Sequence, residues 1–348
     1  MSILGYKRAV WFAAIALSLT STLTLAVVAE PALRFQVPAT VSPEAARDLT
    51  AIYAGMSKPP ETKPASLEDW DRLREALDKR MIPASNAIVA RLGASLQDDQ
   101  LGGVPIVIIR PAGYKPSGRT LIYLHGGGYT RFSAHSRLGP PALMAAATGD
   151  QVISIDYTVA PRGNWKTITD QVLSVWKALL AKGTAPAHIG MFGDSAGAGI
   201  ALGSTLKMRD QGLPLPGALY VMSPSCDVTQ QGDSYQTLSG VDPILDRESS
   251  AWGANAYADP QDQKNPYVSA VYGDYSKAFP PTLIQGGTRE MLLSNFVREY
   301  QAIRSGGHEA VLDLYEGMPH VFQGLIPNTP EARTAFARAA LFFRKHLR

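Results

Sequence analysis

At 348 residues, 45% hydrophobic and 18% charged, with 31 glycines and 25 prolines, the chain has the composition of one large globular domain with additions, or of two small domains. A formal net charge of +3, to which Lys7 and Arg8 contribute, gives no ground for a nucleic-acid partner. The single cysteine, Cys226, excludes an intrachain disulfide and says little about redox compartment.

Met1 to Ala29 differs from the rest. Lys7-Arg8 precedes an apolar run, Ala9 to Ala29, that carries no charge, and Val27-Val28-Ala29 puts small residues just before Glu30-Pro31. Residues 1–29 therefore read as a secretory signal, which implies an exported, periplasmic or secreted protein. The run is long for a signal, so a retained membrane anchor, a tether through residues 9–29, is the alternative. A buried core helix fits the basic flank and the small-residue exit less well. No cysteine follows the run, which argues against a lipoprotein. Export predicts that Cys226, unpaired in an oxidising compartment, is buried.

Residues 34–100 read as helical and amphipathic, and 30–100 as a cap segment. Ser66-Leu67-Glu68-Asp69 opens a helix with a Ser cap and an acidic first turn, and Leu67, Trp70, Leu73 and Leu77 recur at helical spacing. The segment holds no catalytic cluster. It is either packing material or a lid over the site.

From residue 101 onward apolar strands alternate with helices. Strands are expected at 103–110, 120–124, 151–157, 218–224, 281–285 and 310–315, and helices at about 168–182, 292–305 and 330–346. Residues 230–278, rich in Asp, Ser, Gly, Tyr and Pro, break the alternation and read as loops with one or two short helices. This pattern predicts an α/β fold, a mostly parallel twisted sheet with helices on both faces, over residues 101–348.

Within that pattern lies Gly193-Asp194-Ser195-Ala196-Gly197. A strand-like run, His188 to Phe192, precedes it, and a small-residue helix start, Ala198 to Gly203, follows. G-x-S-x-G between strand and helix is a nucleophile elbow, in which a strained turn holds the Ser195 hydroxyl out at the sheet's C-terminal edge. Asp194 reads as structural within that elbow. Acyl transfer also needs a base, an orienting acid and an oxyanion hole, all at C-terminal strand ends. His320, in Glu316-Gly317-Met318-Pro319-His320-Val321-Phe322 after the strand ending at Tyr315, is the candidate base. His135, His188, His308 and His346 are placed worse. Glu290, the first carboxylate after the strand at 281–285, is the candidate acid, with a helix-terminus carboxylate as the bland alternative. His125-Gly126-Gly127-Gly128 closes the strand 120–124, and the N–H groups of Gly127, Gly128 and Ala196 are the candidate oxyanion hole.

With these residues in hand, the chain resembles the hormone-sensitive-lipase-like family of α/β-hydrolases, the bacterial esterases with an HGGG motif. The matching pieces are His125 to Gly128, Asp156-Tyr157 with Ala160-Pro161, Gly193 to Gly197, Ser223-Pro224 with Asp227, Pro281 to Ile284, and Glu316 to Phe322. The resemblance implies a serine carboxylesterase acting on small-molecule, short-chain acyl esters, with an N-terminal helical cap, no metal and no cofactor. It gives His125 and Gly126 a supporting role. Three positions depart from the family: Glu290 stands where an Asp is usual, Arg162 where a Glu follows Ala-Pro, and Ser294-Asn295 where an acidic residue is frequent. Two other readings stay open. One is a non-catalytic ligand-binding protein on the same scaffold; the other is a hydrolase of an amide, a lactone or a polysaccharide acetyl ester. Oligomeric state is not legible.

Overall fold

The structure, a computed structural model, describes residues 36–56 and 62–348. The segment 1–29, expected to direct export or to tether the chain, lies outside the described residues. Among the described residues no helix is long and apolar enough to cross a membrane.

Eight strands, numbered in chain order, form one sheet. Across it they run β1 (Ser95–Leu101), β2 (Val104–Arg110), β4 (Gln151–Ile155), β3 (Thr120–Leu124), β5 (Ile189–Asp194), β6 (Ala218–Met222), β7 (Thr282–Gly287) and β8 (Ala310–Tyr315). The pairings β1–β2 and β2–β4 are antiparallel, and the other five are parallel. The central strands β3, β5 and β6 are buried along their whole length, because both faces of the sheet are covered. Alternate side chains go to opposite faces. Ile122 and Leu124 of β3 pack with Val172 and Trp176 of α4 (Trp165–Ala181), Ile200 of α5 (Ala196–Asp210) and Phe296 of α8 (Leu293–Ser305). Leu121 and Tyr123 pack with Met144 of α3 (Gly139–Thr148) and with Phe336 and Phe343 of α10 (Pro330–His346). Each large side chain buried this way is worth about 1.5–3 kcal/mol over exposure. The α/β architecture expected from the alternation is therefore what forms.

Four expectations need correction. Residues 95–101 form β1 rather than continuing a helix. The sequence Ser-Leu-Gln-Asp-Asp-Gln-Leu shows no apolar alternation because six of its seven residues are exposed at the sheet edge. Between β3 and β4 the helix α3 was not anticipated, since Gly139-Pro140-Pro141 looks like a loop; prolines in a first helical turn cost no hydrogen bond. The helix α4 starts a turn earlier than expected, at Trp165, where the Asn164 side chain accepts from the N–H groups of Lys166 and Thr167. The helix α2 (Leu67–Arg91) has the expected Ser66 cap, closed into a capping box by Asp69, but its apolar stripe is only partly covered. Leu67 stays 43% exposed, and only Ser85 and Val89, beyond Pro83, are buried. That C-terminal half packs on α3 and on the turn His135–Arg137, where the Ser85 hydroxyl donates to the Ser136 carbonyl at 2.7 Å. At Arg162, where the family has a carboxylate, the guanidinium turns to α2 and meets Asp71 at 2.7 Å.

The helix α1 (Pro43–Ala54) buries Ala45, Leu49 and Tyr53 against Met318, Phe322 and the start of α10. The stretch 230–278 carries the short helices α6 (Ser234–Thr237) and α7 (Arg247–Tyr257), as expected, and α9 (Phe322–Leu325) follows His320. Cys226 is fully buried and unpaired; burial, with the charges of Glu299 and Asp227, pushes its thiol well up, and Sγ donates to the Asn295 carbonyl at 3.4 Å.

Candidate active site

Ser195 stands between β5 and α5 at φ 53°, ψ −122°, a conformation that costs a non-glycine residue strain. Its neighbours make the turn possible. A Cβ on Gly197 would lie 2.1 Å from the Leu124 carbonyl oxygen, and one on Gly193 would lie 2.7 Å from the Gly197 backbone. Backbone bonds fix the turn to the end of β6: Ser195 N–H donates to the Met222 carbonyl at 2.8 Å, and Ser225 N–H to the Ser195 carbonyl at 3.0 Å. Five further non-glycine residues have positive φ: Tyr129, Phe132, Ser223, Gln230 and Val321. Each either lines the same cavity as Ser195 or, for Ser223, bonds Glu290. Backbone strain among the described residues is thus gathered at one place, held there by the packed sheet beneath.

The three side chains named from the sequence converge. His320 Nε2 lies 2.9 Å from Ser195 Oγ, and its Nδ1 lies 2.7 Å from Glu290 Oε2. A proton on Nδ1, donated to the carboxylate, leaves Nε2 to accept from the serine hydroxyl. Glu290 is fully buried and His320 nearly so. The second carboxylate oxygen of Glu290 accepts from the Gly287 N–H and from the Ser223 hydroxyl, the latter at 2.8 Å. The same Ser223 hydroxyl accepts from Val321 N–H at 3.0 Å, so one oxygen ties the acid's loop to the loop of the imidazole.

Charge follows from this geometry. Burial pushes the Glu290 carboxyl up, and the hydrogen bond and charge of His320 only partly offset it. For His320, burial alone would push the imidazole down; the bond and charge of Glu290, with Asp242 and Asp194 behind it, outweigh burial and leave it raised. The hydrogen bonds of Asp194 go to β3 and to the loops around the elbow. It accepts from Tyr123 Oη, from Gly126 N–H at 3.0 Å and from Arg137 at 2.8 Å, and these partners, chiefly Arg137, overcome its burial and hold it below the ordinary carboxylate range. His125 is buried, stacked on Tyr157 with ring centroids 4.3 Å apart, and burial lowers its pKa. Neither belongs to the relay.

Gly127 and Gly128, at φ 128° and 59°, and Ser195 and His320 line one cavity of about 550 Å³. Space is open where a Gly128 side chain would project. The N–H groups of Gly127, Gly128 and Ala196 have no hydrogen-bond partner among the described residues, whereas that of Gly126 is taken by Asp194. Met81, Ala84, Ser85 and Ile88 of α2 and Ile244, Leu245 and Ser249 from the 230–278 stretch complete the wall. Among the described residues no group of three His, Cys, Asp or Glu side chains could hold a metal ion. The other histidines fall elsewhere: His135 bonds Asp98 at 2.8 Å on the surface, and His308 bonds the Lys277 carbonyl.

Sequence reasoning did not single out Arg137, the cation under Asp194, nor Asp242, a buried carboxylate beside the Glu290 loop. The requirement that a buried Asp194 have a cation was a usable signal for the first. Nothing local marks the second.

The α/β-hydrolase fold family matches residues 121–324 of this chain. An acetyl-hydrolase of Streptomyces hygroscopicus is 30% identical over 275 residues, spanning 79% of this chain and 87% of that relative. EstE5, whose crystal was soaked with p-nitrophenyl butyrate, superposes with a TM-score of 0.79 at 28% identity, covering 88% of this chain and 99% of that one. An esterase of the bacterial hormone-sensitive lipase family superposes with a TM-score of 0.77 at 29% identity over the same shares. Fold, sequence and structural likeness agree: the chain belongs to the hormone-sensitive-lipase-like esterases of the α/β-hydrolase fold and is a carboxylic ester hydrolase.

Proposed function

We propose that the chain hydrolyses short-chain acyl esters through a Ser195–His320–Glu290 triad and an oxyanion hole of Gly127, Gly128 and Ala196 N–H groups. The unbroken relay from Ser195 Oγ through the imidazole to Glu290, at 2.9 and 2.7 Å, carries this reading. Ser195 Oγ attacks the ester carbonyl while His320 Nε2 takes its proton. The three N–H groups hold the oxyanion, and Glu290 holds the imidazolium that forms. The C–O bond to the alcohol then breaks, and the departing oxygen takes the proton from His320. Water repeats the sequence on the acyl-enzyme: it gives a proton to His320, its oxygen bonds the acyl carbon, and Ser195 leaves reprotonated. His125, Gly126 and Asp194 support the loop and the elbow.

The helices before β1, α1 and α2, serve as the cap, a reading supported by the α2 side chains in the cavity wall. The short-chain preference draws support from the names of the acetyl-hydrolase relative and of the EstE5 structure soaked with p-nitrophenyl butyrate. Export through a cleaved signal at residues 1–29 is tested by sequencing the N-terminus of the mature chain: a terminus at Met1 rules out cleavage and leaves the anchor or a buried core helix.

The central test is a p-nitrophenyl ester panel from acetate to laurate, run on the wild type and on Ser195→Ala. The variant should lose about 10⁴-fold or more in kcat, and the wild type should favour acetate and butyrate. Undiminished turnover in Ser195→Ala sinks the assignment, and a laurate optimum sinks the chain-length preference. A fluorophosphonate probe should label Ser195; absence of labelling would favour the binding-protein reading.

A further inference from the structure

Glu290 is not the only buried carboxylate whose charge acts on the imidazole. Asp242, between α6 and α7, is fully buried. Its Oδ1 accepts from the N–H groups of Ile244 and Leu245, at 2.8 and 2.9 Å, and its Oδ2 accepts from that of Met291, the residue after Glu290, at 2.7 Å. Burial pushes the Asp242 carboxyl up, while the charge of His320 and the three N–H donors favour its ionised form and oppose that rise. Ile244 and Leu245 on one side of this knot and Leu292 on the other line the cavity that holds Ser195. One side chain therefore fastens a cavity wall and the Glu290 loop to each other. Its charge also acts on His320, together with those of Glu290 and Asp194.

We propose that Asp242 is a positioning residue for ester hydrolysis: it holds Glu290 in register with His320 and fixes the neighbouring wall of the substrate cavity to the same loop. The proposal rests on the Ser195–His320–Glu290 reading. Asp242 does not line the cavity; it acts through Met291 and Glu290. Asn at this position is nearly isosteric but cannot satisfy the site. An amide has one acceptor oxygen, and in either orientation its NH₂ meets at least one of the three N–H groups head on.

The test compares wild type, Asp242→Asn, Asp242→Ser and Ser195→Ala as full chains, with p-nitrophenyl butyrate, measuring kcat and KM against pH and Tm for each. Both Asp242 variants should lose about tenfold or more in kcat, with a smaller change in KM. The acid limb of kcat/KM should move down by about half a pH unit, since one of the three carboxylates acting on His320 has lost its charge. A lower Tm with the limb unmoved would make Asp242 part of the scaffold and overturn the proposal. So would failure of both variants to fold. Activity retained in Ser195→Ala overturns the triad reading itself, a different result from an unmoved limb beside an inactive Ser195→Ala.

Discussion

In the proposed triad, the departure of the acid from Asp to Glu is accommodated by a specific set of partners. Glu290 reaches His320 with one oxygen and spends the other on Gly287 N–H and Ser223. A carboxylate so bound, in a dry place, is worth most when the imidazole is charged, which is the state formed during acyl transfer. The sign of the pH dependence follows. In the proposed relay His320 must be neutral to accept the serine proton, so turnover should rise with pH through the imidazole pKa. Because the imidazole is raised, the acid limb of kcat/KM should lie above the ordinary imidazole value of about 6.5. Glu290→Gln removes the charge that raises it. That variant should lose about 10²–10⁴ in kcat/KM, and its limb should fall relative to wild type; a pH–rate profile of both proteins reads the two effects. A limb that stays in place after Glu290→Gln would mean that another group holds the imidazole.

At the scale of elements, the site depends on pieces that carry none of its chemistry. Helix α1 packs Leu49 and Tyr53 against Met318 and Phe322, two residues to either side of His320. Truncating the fully buried Leu49 to Ala should cost about 2–4 kcal/mol of stability. It should also lower kcat more than it raises KM, because the loop beneath His320 loses its floor; denaturant melts and steady-state kinetics at a temperature where the variant is folded separate the two effects. This division also explains what could be read in the chain. Strands β3, β5 and β6 announce themselves as short apolar runs because both their faces are covered, and Ser195, Glu290 and His320 follow from where those runs end. Strand β1 is silent because an exposed edge strand needs no apolar pattern. Helix α3 hides behind its prolines. The tie from Asp242 to Met291 is invisible because it is made to a backbone N–H 49 positions away, and any residue supplies a backbone N–H.

Across the whole molecule, buried ionisable groups outside the site make stability depend on pH. Glu299 on α8 is fully buried beneath Tyr275, which donates to one of its oxygens, while the other oxygen has no hydrogen-bond partner among the described residues. Burial pushes its carboxyl up to about 7. A carboxyl raised by folding contributes its stability below its unfolded value, near 4.5, and loses it as pH rises through about 7. Glu299→Gln should therefore match wild type in thermal melts near pH 4 and exceed it at pH 8, by about 3 kcal/mol. A constant gap at both pH values would show that folding does not shift the Glu299 carboxyl. On the same helix–strand layer sits the lone sulfur of Cys226, sealed in and without a covalent mate. Folding here has no oxidation step to wait for, so dithiothreitol should leave turnover unchanged. An alkylating reagent can reach that sulfur only when the layer opens, so its slow uptake counts opening events in the native protein, one label per molecule.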